Sequence, residues 1–168
     1  MDKFSKFLEE KLMPIGQKIN NIRFLQVIRM AMMPLIPFII AGSFTLIVLN
    51  FPFIDKVLPA GFLEMLGNVL SPLSGTTLSL VAMFLAFLMG YNYAKTEEQK
   101  CEEVYAGITT LVAFLIVSPL SITVGEEVIG GVIPTTYMGS QGMFVALILC
   151  YLVAKVYCKL LSSKLKIK

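Results

Sequence analysis

The sequence predicts an all-α polytopic membrane protein with four transmembrane helices, amphipathic interfacial helices, and cytoplasmic N- and C-termini. Four apolar runs, at residues 24–50, 73–93, 104–121 and 141–158, are each long enough to cross a hydrocarbon layer about 30 Å thick. When they are drawn as helices, all of the 14 Lys and Arg residues except Lys56 fall on one side of the membrane. The positive-inside rule places that side in the cytoplasm.

The composition agrees with this class and argues against several kinds of site. Apolar residues make up 57% of the chain and charged residues 15%, whereas soluble domains average about 45–50% and 25%. The net charge of +3 follows from the topology, so no nucleic-acid partner is predicted. With no histidine, the chain alone cannot build a His-ligated metal site or a His-based nucleophile system. We therefore predict no catalytic, substrate-binding, metal or cofactor-binding residue.

The first segment, residues 1–23, has the pattern of an amphipathic helix. Apolar residues recur at steps of three and four with Lys and Glu between them, although Pro14 and Gly16 interrupt the pattern. One interpretation is a helix lying on the cytoplasmic leaflet. The other is a cytoplasmic helix packed on neighbouring protein, and the sequence favours neither.

The first apolar run contains two prolines that predict a bend. Pro34 and Pro37 lack an amide hydrogen, so the carbonyl oxygens of Met30 and Met33 are expected to lose their helical partners. We predict a bent helix rather than a broken helix lining a substrate path, because no charge lies at mid-membrane depth.

Small residues inside the runs predict close contacts between helices. Ala41, Gly42 and Thr45 form a small-residue face on the first run and are our candidates for helix packing or a dimer contact. Gly107, Thr110 and Ala146 are expected to permit close packing in the later runs.

The segments between the runs predict a short helix and a polar loop. Apolar residues at 62–73 repeat at helical spacing after Pro59, which indicates an outer-surface helix leading into the second span. The loop at 122–139 is rich in Gly, Thr and Pro and contains Glu126 and Glu127. We interpret these as solvated carboxylates rather than an acid–base pair.

The cysteines predict thiols rather than a framework of disulfides. Cys101 lies in a cytoplasmic loop, and Cys150 and Cys158 lie in the last run, without CxxC spacing. The cytoplasmic assignment leads us to expect reduced cysteines.

Four stretches of the chain together resemble one family of membrane proteins. They are residues 29–42 (RMAMMPLIPFIIAG), 90–94 (GYNYA), 106–119 (AGITTLVAFLIVSP) and 138–146 (MGSQGMFVA), and residues 7–29 resemble the family's amphipathic lead-in. In order and spacing they resemble the N-terminal part of enzyme IIC, the sugar permease of the bacterial phosphoenolpyruvate-dependent phosphotransferase system (PTS), of the lactose/cellobiose (diacetylchitobiose) type.

The resemblance implies that the two halves of such a protein have different roles. In the family that the chain resembles, the N-terminal helices form a homodimer, and a C-terminal half holds the sugar with a histidine and an Asn-Glu-Pro type motif. Neither feature occurs in this sequence, so residues 24–168 are expected to correspond to the dimerisation half, with the sugar-binding half absent. The implied partners are the IIB and IIA subunits, a C-terminal enzyme IIC half if the permease is split, a second copy of the chain, and the lipid bilayer of a bacterial cell membrane.

Two classes of function remain open from the sequence. In the first, the chain is a truncated or split part of a permease that imports a β-linked disaccharide such as cellobiose, lactose or diacetylchitobiose, with phosphorylation by IIB. It would then be a component of a phosphotransferase without catalytic residues of its own. In the second, it is a stand-alone small membrane protein that binds a protein or lipid without transporting anything.

Overall fold

The computed structural model describes residues 21–52, 59–96, 101–124 and 127–163. Nearly all of the predicted amphipathic segment 1–23 lies outside these ranges. Lys56, Glu126 and the lysine-rich tail beyond Ser163 also lie outside them.

The first apolar run forms a helix that is interrupted near its middle. Helix α1 spans Arg23–Met32, a 3₁₀ turn follows at Met33–Leu35, and α2 spans Ile36–Leu49. Pro34 lies in the 3₁₀ turn and Pro37 in the first turn of α2. One detail of the prediction is wrong, because the Met33 carbonyl accepts a hydrogen bond from the amide of Ile36. The tighter turn supplies the partner that proline removes.

The second apolar run forms the end of one helix and most of the next. Helix α3 spans Ala60–Leu78 and α4 spans Val81–Thr96, with a turn at residues 79–80 between them. The predicted outer helix at residues 62–73 is therefore the first part of α3. The predicted second span begins inside α3 and continues along α4.

The third apolar run forms a shorter helix than the sequence predicts. Helix α5 spans Glu103–Val117, and Ser118 has extended backbone angles of φ −74° and ψ 138°. Because Pro119 follows, helical angles at Ser118 are sterically disfavoured. The predicted end at residue 121 is wrong, and the helix covers about 22 Å at 1.5 Å per residue.

The predicted outer loop contains a β-hairpin. Strands β1 (Ser121–Val124) and β2 (Glu127–Gly130) pair antiparallel, with Ser121 opposite Gly130 and Ile122 opposite Ile129. Both strands carry β-branched residues, which favour a pleated backbone. Gly131 follows with φ +77°, a backbone angle that favours glycine.

The chain then returns through the bundle. A short helix α6 spans Thr135–Met138, and α7 spans Ser140–Ser162. Within the described ranges, three helical stretches are long and apolar enough to cross a membrane, at Arg23–Leu49, Gly61–Thr96 and Ser140–Ser162, while α5 is shorter. The all-α membrane class is confirmed, and the count of four spans stays a prediction.

Helix α4 occupies the centre of the bundle. It packs against α1, α5 and α7, whereas α2 packs mainly against α3. Nine residues of α4 are buried, including Leu85, Ala86 and Met89. In contrast, large apolar side chains on the outer helices are exposed, such as Phe44 (66%), Ile116 (75%) and Phe144 (74%). Such surfaces suit a hydrocarbon solvent.

The cysteine expectation is wrong for one pair. Cys101, just before α5, and Cys158, near the end of α7, form a disulfide across 57 residues. Their Cα atoms are 5.5 Å apart, which is within the range that the bond requires. The pair forms because both helix ends lie at the same end of the bundle. Cys150 remains a buried free thiol.

Candidate functional site

Small residues spaced four apart run along two of the central helices. Nine buried residues share this spacing. On α4 they are Ala82, Ala86, Gly90 and Ala94, and on α7 they are Gly142, Ala146, Cys150, Ala154 and Cys158. In a helix this spacing places small side chains on one stripe, where neighbouring backbones can approach closely. We call these two stripes the small-residue ladders.

Thr110 connects the three central helices. Its hydroxyl lies 2.9 Å from the Ala86 carbonyl of α4, to which it donates a hydrogen bond. Its own backbone carbonyl accepts from the Cys150 thiol of α7 at 3.6 Å. A Cβ atom built on Gly90 would collide with the Thr110 side chain and would lie 2.5 Å from the Ala106 carbonyl oxygen. The α4–α5 contact therefore requires glycine at position 90.

An aromatic and cationic cluster closes the end of the bundle where α1 begins. The Arg23 guanidinium lies 4.5 Å from the centroid of the Tyr93 ring, and its Nη2 donates to the Thr96 hydroxyl at 3.3 Å. Tyr151 makes edge contacts with Tyr93 and Phe24, with ring centroids 5.2 and 4.8 Å apart. These contacts tie α1, α4 and α7 together.

The described cations gather toward the same end. Within the described ranges the Lys and Arg residues are Arg23, Arg29, Lys95, Lys155 and Lys159. They lie near the start of α1 or near the ends of α4 and α7. This distribution has the charge asymmetry of a membrane protein whose cationic end faces the cytoplasm.

The predicted small-residue face of the first run is divided between two environments. Gly42 and Thr45 are buried, and a Cβ atom on Gly42 would collide with the Thr77 side chain and approach Leu78 Cγ to 2.7 Å. The Thr45 hydroxyl donates to the Ala41 carbonyl at 3.0 Å, and the Ala41 side chain is exposed. Gly42 thus lies in the α2–α3 contact, and a dimer contact through this face stays a prediction.

The five buried Thr, Asn and Ser side chains of the described residues bond to backbone carbonyls. Thr45, Thr77, Asn92, Thr110 and Ser118 each donate to a carbonyl of their own or a neighbouring helix. No group of three His, Cys, Asp or Glu residues in the described part of the chain is arranged to hold a metal ion.

A narrow apolar groove lies beside the interruption in the first span. Its volume is about 340 Å³, and its lining consists of Pro34, Leu35, Phe38, Met83, Phe84, Phe87, Leu88 and Leu111. The rings of Phe38 and Phe84 stack with centroids 6.5 Å apart. We call this the α4 groove, because four of its lining residues belong to α4.

The geometry described so far is that of a membrane bundle. A comparison with protein-family models identifies the family to which the chain belongs. Residues 29–168 match the sequence model of the family described as Phosphotransferase system, EIIC. This chain belongs to the EIIC family. The match covers most of the chain, so the family resemblance predicted from the sequence is confirmed.

Individual EIIC proteins agree with this assignment. The chain is 33% identical over 168 residues to the oligo-beta-mannoside-specific EIIC component of Bacillus subtilis, covering 99% of this chain and 37% of that protein. It is also 33% identical to the cellobiose-specific EIIC component of Geobacillus stearothermophilus, covering 100% of this chain and 39% of that protein. The chain therefore spans about two fifths of the length of these EIIC relatives.

A solved EIIC structure has the same fold. The transporter ChbC, the IIC component of an N,N'-diacetylchitobiose-specific phosphotransferase system, superposes with a TM-score of 0.75 at 28% sequence identity. The likeness covers 92% of this chain and 37% of that one. The bundle described above is therefore a fold that an EIIC transporter uses.

Two features of the helix bundle in this EIIC chain were missed in the sequence. The small-residue ladders could have been found, because Ala or Gly recurs every fourth residue between positions 82 and 94. The Cys101–Cys158 pair carries no local signal, since its members are 57 residues apart and show no recognisable spacing.

Proposed function

We propose that the chain is the membrane scaffold of a PTS sugar permease in a bacterial cell membrane. It would supply the N-terminal, dimer-forming part of an enzyme IIC that imports a β-linked disaccharide such as cellobiose, lactose or diacetylchitobiose. Sugar contacts and phosphorylation would be contributed by a C-terminal IIC half and by the IIB and IIA subunits. The family match over residues 29–168 carries the transport assignment.

The scaffold role rests on how the buried polar groups are used. Sugar recognition needs donors and acceptors that are free to replace water around the hydroxyls, because each unmatched polar group costs a few kcal/mol (about 1–3) to bury. In the described residues, the five buried Thr, Asn and Ser side chains already donate to backbone carbonyls. This arrangement supports packing rather than sugar binding as the work of these helices.

The α2 surface is our candidate for the dimer contact. Ile40, Phe44 and Ile47 lie on one face of α2, and Ala41 lies at its edge, one turn before Thr45. All four apolar residues are exposed, whereas Thr45 is buried. The small side chain of Ala41 beside these larger apolar side chains suits close approach of a second helix. Gly42 lies on the far side of α2, in contact with α3.

The first experiment tests the division of labour by calorimetry. The purified chain in mild detergent is titrated with cellobiose, lactose and diacetylchitobiose, and its mass is measured by light scattering. We expect no heat of binding and a dimeric mass. Micromolar binding of any of these sugars would contradict the scaffold assignment.

The second experiment tests membership of a permease. The chain is expressed in bacteria that lack their own IIC, with or without the remaining three fifths of the cellobiose relative, and uptake of labelled cellobiose is measured. We expect uptake and crosslinking to IIB only when both parts are present. If the companion part imports sugar equally well without this chain, the proposal is wrong. The result would then favour a stand-alone membrane protein that binds a protein or lipid.

A further inference from the structure

Helix α4 is buried on most sides and leaves one stripe open. Phe84, Leu88, Tyr91 and Lys95 follow at steps of four, three and four, which places them on one face of the helix. Phe84 is 41% exposed, Lys95 is exposed, and Leu88 and Tyr91 are half-buried. The neighbouring residues Leu85, Ala86 and Met89 are fully buried. The open stripe is therefore a property of this one face.

The inner part of this stripe forms the floor of the α4 groove. Phe84 and Leu88 line it together with Phe87, while Pro34 and Phe38 form one wall and Leu111 contributes from α5. The 3₁₀ turn at Met33–Leu35 contributes Pro34 and Leu35 to the lining of the groove. Every lining side chain is apolar, so an occupant must be hydrocarbon at this position.

The other end of the stripe carries a cation at the membrane edge. Lys95 lies seven residues beyond Leu88 and eleven beyond Phe84, which corresponds to about 10 and 16 Å along the helix. Half of a hydrocarbon layer is about 15 Å thick. The stripe therefore has an apolar part at acyl-chain depth and the Lys95 ammonium at headgroup depth, while the Glu103 carboxylate of α5 interacts with Tyr91 between them.

We propose that the α4 groove binds one acyl chain of an anionic phospholipid whose phosphate is held by Lys95. The hydrocarbon chain lies along Phe84 and Leu88, and the ammonium group pairs with the headgroup at the end of α4. This site is independent of the sugar-transport proposal, because it uses only residues of this chain and the surrounding bilayer.

The charge near the groove favours a phospholipid over a protein segment. The groove is lined only by apolar side chains, which suits an acyl chain, and the ammonium group of Lys95 complements an anionic headgroup.

The test uses the absence of tryptophan from the chain. A Phe84→Trp variant, reconstituted in vesicles, places one fluorophore in the groove, and brominated phosphatidylglycerol or brominated phosphatidylcholine then quenches it. The control is Val112→Trp, which is exposed on α5 on a stripe with Ile108 and Tyr105 and without a cation. Competition between the two lipids gives their relative affinity at each tryptophan.

In the Phe84→Trp variant, we expect phosphatidylglycerol to be favoured about fivefold, the effect of one cation near the surface. In the Val112→Trp control, neither lipid should be preferred. Adding Lys95→Gln to Phe84→Trp should abolish its preference, whereas adding Lys159→Gln, an equal charge change at the end of α7, should preserve it.

Three outcomes would overturn the proposal. The first is equal quenching of the groove tryptophan by both lipids, and the second is a preference that survives Lys95→Gln. The third is protection of the groove tryptophan from both lipids, because a second copy of the chain would then cover the groove.

Discussion

The Thr110 hydroxyl donates a hydrogen bond to the Ala86 carbonyl across the α5–α4 contact, at 2.9 Å. The same hydroxyl is also 2.9 Å from the Gly107 carbonyl and 3.1 Å from the Ala106 carbonyl of its own helix. A side-chain hydroxyl in an apolar span often bonds back to its own helix. Here it also reaches the neighbouring helix, because the small residues Ala86 and Gly90 let the two backbones approach.

Replacing Thr110 with valine should destabilise the bundle by about 0.5–1.5 kcal/mol, since it removes the interhelical hydrogen bond and keeps the shape. The measurement is the SDS-induced unfolding transition in mixed micelles, followed by circular dichroism. Thr109→Val is the matched control, because the Thr109 hydroxyl bonds within its own helix, to Tyr105 at 2.7 Å. Equal losses for the two variants would contradict this account.

Replacing Gly90 with alanine should cost about 1–3 kcal/mol, as expected for overpacking a close contact. The new methyl group would meet Thr110 and the Ala106 carbonyl, and neither can move away without separating α4 from α5. Gly75→Ala on α3 is the control, because no atom lies within 4 Å of its added Cβ. That variant should be neutral or up to about 1 kcal/mol more stable. The same unfolding assay compares the two, and a neutral Gly90→Ala would be inconsistent with the ladder contact.

Cys101→Ser and Cys158→Ser should destabilise the oxidised protein equally, and the double variant should lose no more than either single one. Either change removes the whole disulfide, so the effects cannot add. Losses of about 2–4 kcal/mol are typical when a disulfide is removed. Thermal unfolding without reductant measures them, and dithiothreitol should lower the stability of the parent to the level of the variants. Additive losses would mean that each cysteine acts through packing alone.

Cysteine labelling in intact cells should place the hairpin and the end of α7 on opposite sides of the membrane. Thr123→Cys in β1 and Ser163→Cys after α7 both introduce a thiol beyond the apolar helices. An impermeant maleimide should label position 123 directly and position 163 only after permeabilisation, because the positive-inside rule predicts that the cationic end faces the cytoplasm. The parent chain serves as the background control. Labelling of position 163 from outside would reverse the topology.

The helical class and the helix before the second span were predictable from the sequence, because apolar length and the helical spacing of residues 62–73 are local signals. Pro34 and Pro37 led us to predict a bend in the first span; the structure has a 3₁₀ turn there, and the bend itself stays a prediction. Burial of Gly107, Thr110 and Ala146 followed from their small size, and the structure confirms it. Such features are visible because each is encoded within one or two turns of chain.

Features that depend on distant residues could not be predicted in the same way. The disulfide requires the ends of α5 and α7 to meet, which only the folded bundle brings about. The open stripe of α4 is defined by what its neighbours leave uncovered, and the groove by side chains that the first span, α4 and α5 bring together. The β-hairpin was missed because its Gly and Thr content was interpreted as a loop, although residues 121–124 are mostly strand formers.

The contrast between α4 and α2 governs how freely each helix can vary in sequence. Phe44 and Ile47 are exposed and lie outside the packed core of a single bundle, so exchanging them for other large aliphatic or aromatic residues should leave the folding of one bundle unaffected. Ala82 and Ala86 are fully buried among neighbouring helices, where close packing makes an added methylene group costly. In a mutational scan of this protein, the effect of a substitution on folding should accordingly depend on whether the position is packed against another helix, more than on its hydrophobicity.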